Sequence, residues 1–586
     1  MKLALLCVSL SIACSHAPAP ATATAPSPAS DHRSEPPPPP PPRRPVTLTI
    51  LGTNDLHGWL DRLPVLAGFV ANLRAARAAD GGGVLLVDAG DMLQGTLESN
   101  LGEGVDVVRA YNHLGYAAAA VGNHEFDFGP EGPAATAATA SDDPRGALKA
   151  RAREARFPFL VANLIDTSTG ARIAWPNMPA STMVEVAGIK VGIVGAITEG
   201  TRFTTLVANL VGLEITRPAP AIAEQAKVLR AQGAQVVVAA IHIGSSCKDL
   251  EHPDDASSCD RGEELFKVLG ELPRGTVDAI VAGHIHAGIA HQLDGVPVIE
   301  SFSSGRAFGR IDLQISPEGQ VIASHIDRPH RLCPAPDKNG NPPAIAECVP
   351  GDYEGKPVVA DPEVQRIVDA ALARGAERRK EKLGVTLTQP VARAFTTESP
   401  EGDWFCDLML IAHPEAQVSL TNGGGLAAEL PAGELTYGSM FDAIPFDNRF
   451  AIIDITGADL RRLVTTNLQR GGGILSWGGL KARARCKAGA LDVQIRVAGK
   501  PLDDRARYKL ATTDYLATGG SGVMGPLKLP DSAIHATDAI VRDALSDVLR
   551  GWKGTPKAVI DPARLYPATA PRLDYEGTRP VECAKK

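Results

Sequence analysis

The chain has no surplus of basic residues: 59 Lys and Arg stand against 67 Asp and Glu, for a net charge of −8. Neutralising a polynucleotide backbone needs an excess of cations, so the composition argues against nucleic acid as the main partner. Small phosphate esters stay open, because bound metal ions can supply positive charge locally. The apolar stretch LALLCVSLSIA, residues 3–13, is too short for a permanent membrane span. No short repeat period runs through the chain, which argues against a solenoid. No Lys-Ser or Lys-Thr follows the glycine-rich runs, which removes the P-loop reading. What is present is ordinary for folded protein, 44% hydrophobic and 22% charged residues, and 586 residues are ample for two domains.

Met1-Lys2, the apolar core and Ala13-Cys14 read as an export signal, residues 1–14. Residues 15–45 are mostly Pro, Ala, Ser and Thr and cannot bury a core, so they form an extended tether. The junction at Cys14 resembles that of a bacterial lipoprotein, with Ser11 where leucine is usual. The expectation is an exported protein of the periplasm or the outer-membrane surface, touching membrane only through a lipid on Cys14. Ordinary cleavage near Ala17 to Ala21 is the alternative. Cysteine usage fits an oxidising compartment: Cys247 with Cys259 and Cys333 with Cys348 bracket polar loops, Cys486 can reach Cys583, and Cys406 is left as buried packing.

Between Pro45 and Ile326, short apolar strands alternate with helical stretches such as LAGFVANLRAARAA, the pattern of layered α/β architecture. Residues 361–382 have helical periodicity with an acidic start and a basic end, and read as a helix connecting two domains. Five apolar runs end in polar chemistry: VTLTILGTNDLHG on Asp55 and His57, GVLLVDAGD on Asp88 and Asp91, AAAAVGNHEFDFG on Asn123, His124, Glu125 and Asp127, VVVAAIHIG on His242, and DAIVAGHIHAG on His284 and His286. Ligands of open α/β sheets gather outside the carboxyl ends of strands, so these endings can converge. Asp55, His57, Asp91, Asn123, His242, His284 and His286 offer the nitrogen and oxygen donors of a two-metal site, in which one carboxylate must bridge. Manganese, zinc, cobalt, iron and calcium all suit such donors. A lone strand-end histidine is usually a satisfied polar residue, and Asp88 alone reads as a loop-orienting carboxylate; five ordered clusters are a different signal.

In this order the motifs resemble the calcineurin-like metallophosphoesterases, and TNDLHG, GNHEFDFG and GHIHAG resemble the 5'-nucleotidase/UDP-sugar hydrolase family. The resemblance implies a four-layer αββα metallophosphoesterase domain over 46–330, a disulfide-like loop and linker helix over 331–383, a smaller α+β substrate-binding domain over 384–575 and a tail over 576–586. It implies that Asp55, His57, Asp91 and His286 hold one metal, and Asp91, Asn123, His242 and His284 the other. The family often has glutamine at the place of His286. His124 would stabilise the transition state or protonate the leaving oxygen, with Asp127 orienting it. A hydroxide held between the two cations would be the nucleophile.

In the second domain TNGGGL, IPFDN and YLATGGSG resemble the family's substrate-binding strings, which implies Asn422, Gly424, Phe446, Asn448 and Tyr515 as substrate residues, with Phe446 and Tyr515 sandwiching a nucleobase. The chain departs from the pattern where arginines are frequent: Ala427 follows the NGGGL string, and Phe395, Thr397 and Glu398 stand before Gly402-Asp403. Ser521 replaces a frequent aspartate, and Arg393 or Arg449 are candidate substitutes. The expected function is an exported two-metal 5'-nucleotidase acting on nucleoside monophosphates, small phosphate esters being its partners and no protein partner being evident. The alternatives are a UDP-sugar pyrophosphatase or a (cyclic) phosphodiesterase with weak AMP activity, and a metal-dependent nucleotide-binding surface lipoprotein.

Overall fold

The computed structural model describes residues 44–132, 134–333, 345–530, 533–566 and 570–583, so the expected signal and tether lie outside the described residues. Residues 44–586 make one compact unit. Its first half is built on strands β1 (Val46–Thr53), β2 (Gly83–Asp88), β3 (Ala118–Ala120), β4 (Val236–His242) and β5 (Ala279–Val281). One six-stranded sheet runs Val321–Arg331, Ala307–Ile315, β1, β2, β3, Phe159–Leu160, with β1, β2 and β3 parallel. The second runs Gly288–Leu293, Val296–Ser301, β5, β4, Ile189–Ile197, Ser181–Val186, with β4 and β5 parallel.

Side-chain alternation decides how these sheets stack. Along β4, Val236, Val238 and Ala240 enter the core between the sheets with Leu48, Ile50, Leu85 and Val87, while Val237, Ala239 and Ile241 face the other way. Those outward residues are covered by Ile222 and Leu229 of helix Pro218–Ala231 and Leu265 of helix Glu264–Glu271. Helices α1 (Leu63–Asp80) and α2 (Val105–Leu114) cover the first sheet through Phe69, Leu73, Val108 and Tyr111. The result is the expected αββα stack. Both parallel sets have buried faces on either side, which is why their strands read as continuous apolar runs.

Helix Pro362–Lys380, here α3, starts on Asp361, whose carboxylate accepts the N–H groups of Glu363 and Val364. It ends at Lys380, short of the sequence expectation, because Lys382–Leu387 pairs with Gly433–Thr436 as a strand. The helix packs on both halves. Arg379 makes the tie: its fork holds Glu98 at 2.6 and 2.9 Å and Asp442 of the second half at 2.9 Å. The second half centres on a five-stranded sheet, Leu475–Gly478, Val418–Asn422, Arg507–Thr513, Arg449–Thr456 and Ile534–Ile540, with helices Pro400–Ala412 and Gly457–Gln469 packed around it. Cys247–Cys259 and Cys333–Cys348 are disulfides, as their loops led us to expect; Cys486 pairs with Cys583, a pairing the sequence left open, and Cys406 is free and buried.

Glu401, on helix Pro400–Ala412, is fully buried, and neither carboxyl oxygen has a hydrogen-bond partner among the described residues. Burial pushes its pKa from 4.5 to about 9, against a downward pull from Arg393. A carboxyl that holds its proton more tightly when folded stabilises fully below its unfolded pKa, and that contribution is lost as pH rises toward the folded one. Glu401→Gln is therefore expected to melt at a higher temperature than the native chain near pH 8 and at about the same temperature near pH 4.5. Melting curves at the two pH values check this; an equal gap at both would contradict it.

Candidate metal centre and substrate cleft

The five strand endings meet at the carboxyl edge of the paired sheets. Asp55, His57, Asp91, His284 and His286 all adopt positive φ, at 50°, 49°, 56°, 87° and 61°. Such backbone costs on the order of 1–3 kcal/mol per residue and persists only where neighbours over-determine it. Here they do. The N–H groups of Asp55 and His57 donate to the carbonyls of Gly90 and Asp91 at 2.9 Å, and that of Ser304 donates to the Asp55 carbonyl at 2.6 Å. Gly122 must be glycine, since a Cβ there would lie 2.2 Å from Asp91 Oδ1.

Three buried acids behind the site set the loops. Glu125 accepts the N–H groups of Gly122, Asp91, Met92 and Leu93 at 2.7, 2.9, 2.8 and 3.3 Å. Asp88 accepts from the Thr53 and Tyr111 hydroxyls and the Gly90 N–H, which is the loop-orienting role its position suggests. Glu300 accepts from Ser245 and Ile285, tying the loop after His242 to the loop of His284 and His286. Burial pushes Asp88 and Glu125 up to about 7, and burial with the nearby Asp55 raises Glu300 well above the carboxylate range. Glu300 ends an apolar strand, the same signal that marked the five clusters.

The donors converge in two groups that share Asp91. Asp55, His57, Asp91 and His286 offer atoms all within 4.8 Å of one another, and so do Asp91, His242 and His284. Asn123 Oδ1 lies 2.9 Å from His242 Nε2 and so joins the second group. His57 Nδ1 donates to the Gln94 carbonyl at 3.0 Å and His242 Nδ1 to the Ala89 carbonyl at 2.9 Å, which leaves each Nε2 turned inward. His57 Nε2 and His286 Nε2 stand 3.0 Å apart, and His284 Nδ1 lies 3.2 Å from His242 Nε2. Imidazole nitrogens that face one another beside two buried carboxylates are a donor set for cations. The electrostatics agree: burial, reinforced by His286, holds His57 near 4, while burial pulls His242 down and Asp91 lifts it further, to about 10. Asp55 sits near 2, because His286 outweighs the burial that would raise it.

His124 stands beside this centre. Its N–H donates to Asp91 Oδ1 at 2.9 Å, and its Nδ1 donates to Asp127 at 2.6 Å. The other Asp127 oxygen accepts the Thr205 hydroxyl at 2.6 Å, a partner without a sequence signal. Burial lowers His124, and Asp127 and Asp91 outweigh it, raising it to about 9.

The second half closes over His124. The Phe446 ring lies 5.7 Å from the His124 ring at 27°, and Phe446 and Asn448 line a small cleft with Asp127, Phe128, Leu206 and Asn100. Gln94 donates to the Pro445 carbonyl at 3.0 Å, so the loop that orients His57 also touches the lid of the cleft. The Tyr515 hydroxyl donates to the Phe203 carbonyl at 2.7 Å and accepts the Ser521 N–H at 3.1 Å; Asn422 donates to Ser521 Oγ at 3.1 Å. Gly424 lies near the exposed Phe395 ring. Phe446 and Asn448 are thus at the His124–Asp127 pair, and Asn422 and Tyr515 meet through Ser521. Arg393 donates to the Leu426 carbonyl, so it holds the glycine loop.

Residues 48–288 match the calcineurin-like phosphoesterase family and residues 381–526 the 5'-nucleotidase C-terminal domain. The chain is 25% identical over 509 residues to Protein UshA of Yersinia enterocolitica, covering 81% of this chain and 86% of that protein. It is 25% identical over 524 residues to a 5'-nucleotidase of Vibrio vulnificus, covering 81% and 85%. The solved structure of a 5'-nucleotidase precursor from Thermus thermophilus superposes with a TM-score of 0.66 at 22% identity, covering 90% of this chain and 99% of that one.

Proposed function

Because the chain belongs to the calcineurin-like phosphoesterases that carry a 5'-nucleotidase C-terminal domain, a family of phosphoric ester hydrolases, we propose that it is an exported 5'-nucleotidase, releasing phosphate from nucleoside monophosphates. The observation that carries this reading is the place of the His124–Asp127 pair, between the converging donors and the Phe446–Asn448 cleft. A pure binding protein has no need of an acid pair at that boundary.

Calcineurin-like phosphoesterases bind two divalent metals, and the donors fit them. Asp55, His57, Asp91 and His286 would hold one, and Asp91, Asn123, His242 and His284 the other. When bound, the cations supply Lewis acidity to the phosphoryl oxygens and lower the pKa of water. The chain does the rest. Phe446 presents a flat face to a base, Asn448 a polar edge, and Asn422, Ser521 and Tyr515 further donors. His124 carries a proton toward the leaving oxygen, and Asp127, itself fixed by Thr205, keeps the imidazole turned to it. Export is supported by the three disulfides and by the short apolar leader; no helix among the described residues is long and apolar enough to cross a membrane.

The test is phosphate release from AMP by the purified chain, chelated and then given manganese or zinc, beside UDP-glucose and bis-p-nitrophenyl phosphate. Metal-dependent release from AMP is expected; turnover of the diesters alone would replace the nucleotidase reading with a diesterase. Phe446→Ala should raise KM for AMP by about tenfold or more and leave turnover of bis-p-nitrophenyl phosphate within about twofold, because stacking of one base is worth roughly 1–3 kcal/mol.

A further inference from the structure

Next to the loops of His242 and His286 stands a second set of donors that phosphate transfer does not use. The Cys247 and Cys259 sulfurs and one imidazole nitrogen of His291 lie within 4.8 Å of one another. All three residues are buried, at 8%, 9% and 0% exposure. His291 lies on strand Gly288–Leu293, and Ile289 and Leu293 of the same face pack in an apolar cluster with both cysteines. An imidazole is a poor filler for such a face. Its Nδ1 accepts the N–H of adjacent Ala290 at 3.3 Å, and its Nε2 has no hydrogen-bond partner among the described residues. A buried polar atom left unpaired costs free energy, so a histidine kept among aliphatic neighbours points to a ligand.

The surroundings single out this pair of cysteines. Among the described residues, neither Cys333–Cys348 nor Cys486–Cys583 has a third donor at that distance. The main chain also keeps the Cys247 and Cys259 sulfurs together independently of their bond. The two residues face each other as an antiparallel bridge with Cα atoms 3.9 Å apart. On one side the Asp260 N–H donates to the Ser246 carbonyl at 2.8 Å, and on the other the Lys248 N–H donates to the Ser258 carbonyl at 3.4 Å. Burial holds His291 below the ordinary imidazole range, so the ring is neutral, the form that ligates. The loop between the cysteines carries Asp249, Glu251, Asp254 and Asp255 against Lys248, and the charges of Asp249 and Asp255 reach His291. Two thiolates and an imidazole are zinc donors, and the fourth tetrahedral position is left for a carboxylate of this loop or for water.

We propose that Cys247, Cys259 and His291 hold a zinc ion whenever the two sulfurs are not bonded to each other, so that metal and disulfide are alternative staples of one loop. The thiols exist before the disulfide closes and again when a dithiol reduces it. The dithiol then gives two electrons and two protons and closes to its own disulfide, the Cys247–Cys259 bond breaks, and each cysteine sulfur takes one proton. Zinc displaces both protons and is held by two thiolates and the imidazole. The staple has a load to carry. The Cys247 N–H donates to the Gly288 carbonyl at 3.2 Å, two residues past His286. The Ser245 hydroxyl donates to the Asp260 carbonyl at 2.7 Å, and the Ser245 N–H donates to Glu300 at 3.2 Å. The stapled loop thus braces the exits that carry His242 and His286 and shares no donor with the phosphoesterase centre. Its zinc site does not depend on which ester that centre cleaves.

The experiment uses cobalt as the probe for zinc, because thiolate ligands give cobalt a near-ultraviolet charge-transfer band that nitrogen and oxygen donors do not. The full native chain is reduced with dithiothreitol, freed of it by anaerobic gel filtration, and titrated with cobalt beside the unreduced chain. Alkylation and peptide mass spectrometry follow the state of the Cys247–Cys259 bond. The reduced chain should develop the band, zinc should bleach it, and the unreduced chain should never show it. Cys247→Ser/Cys259→Ser should abolish the band, although Cys333, Cys348, Cys486 and Cys583 are reduced with the rest. His291→Ala should bind cobalt at this site at least about tenfold more weakly, the least that loss of a ligand costs. The comparison of reduced with unreduced native chain needs no variant and so stands even where a variant fails to fold. A Cys247–Cys259 bond that survives excess dithiol, a reduced native chain without the band, a band kept by Cys247→Ser/Cys259→Ser, or native affinity in His291→Ala each overturns the site.

Discussion

His124→Ala is expected to lower kcat for AMP by about 10²- to 10⁴-fold while the purified protein retains both metals, the usual range for removal of a positioned general acid. The two halves of this expectation come from different atoms. The side chain reaches Asp127 at 2.6 Å and lies against the cleft through Phe446, so its loss removes proton delivery to the leaving oxygen. The contact to Asp91 is made by the backbone N–H, at 2.9 Å, and survives any side-chain replacement. Asp127→Asn should be milder, since the amide oxygen can still accept from Nδ1 while its NH2 donates to the Thr205 hydroxyl, but it no longer favours the charged imidazole. Turnover of bis-p-nitrophenyl phosphate, whose leaving group needs little protonation, should fall less than turnover of AMP in both variants. Elemental analysis beside steady-state kinetics decides it: metal content falling in step with kcat would assign His124 to holding the cations instead.

The αββα core and the strand-end clusters were legible because both follow from short-range rules. Runs such as VVVAAIHIG are apolar on both faces, which only a doubly covered parallel strand tolerates, and the polar residue that ends each run marks the sheet's carboxyl edge. The positive φ at Asp55, His57, Asp91, His284 and His286 was not legible, since none of these five is flanked on both sides by glycine and the strain is held by bonds from distant loops. Thr205 and Gln94 were silent for the same reason: they act through contacts made far along the chain, Thr205 on Asp127 and Gln94 on His57 and Pro445. In the second half the departures at Ala427 and Ser521 were visible, but not that Arg393 is occupied by the Leu426 carbonyl. An average charge of −8 says nothing of where the cations sit.

Asp91→Asn and His286→Ala should separate one shared ligand from one private one. Asp91 belongs to both donor groups, with Oδ2 3.1 Å from His242 Nε2 and 3.8 Å from His57 Nε2. It is also the charge that most strongly opposes burial in setting the protonation of His242. Replacing it with an amide of the same shape keeps the acceptor for the His124 N–H but removes the only carboxylate common to the two groups. Both cations should then be lost, with AMP hydrolysis reduced by about 10³-fold or more, since no position remains at which water is activated. His286 belongs to the first group alone and its side chain is 45% exposed, 3.3 Å from Asp55. Its removal leaves Asp55, His57 and Asp91 for one cation and the second group untouched, so the protein should retain one tightly bound metal, and excess manganese or zinc should restore part of the activity. Metal content after exhaustive dialysis, read with and without added cation, distinguishes the cases. Full occupancy in Asp91→Asn would mean that the two groups do not share this carboxylate, and an empty protein in His286→Ala would mean that the second site forms only once the first is filled.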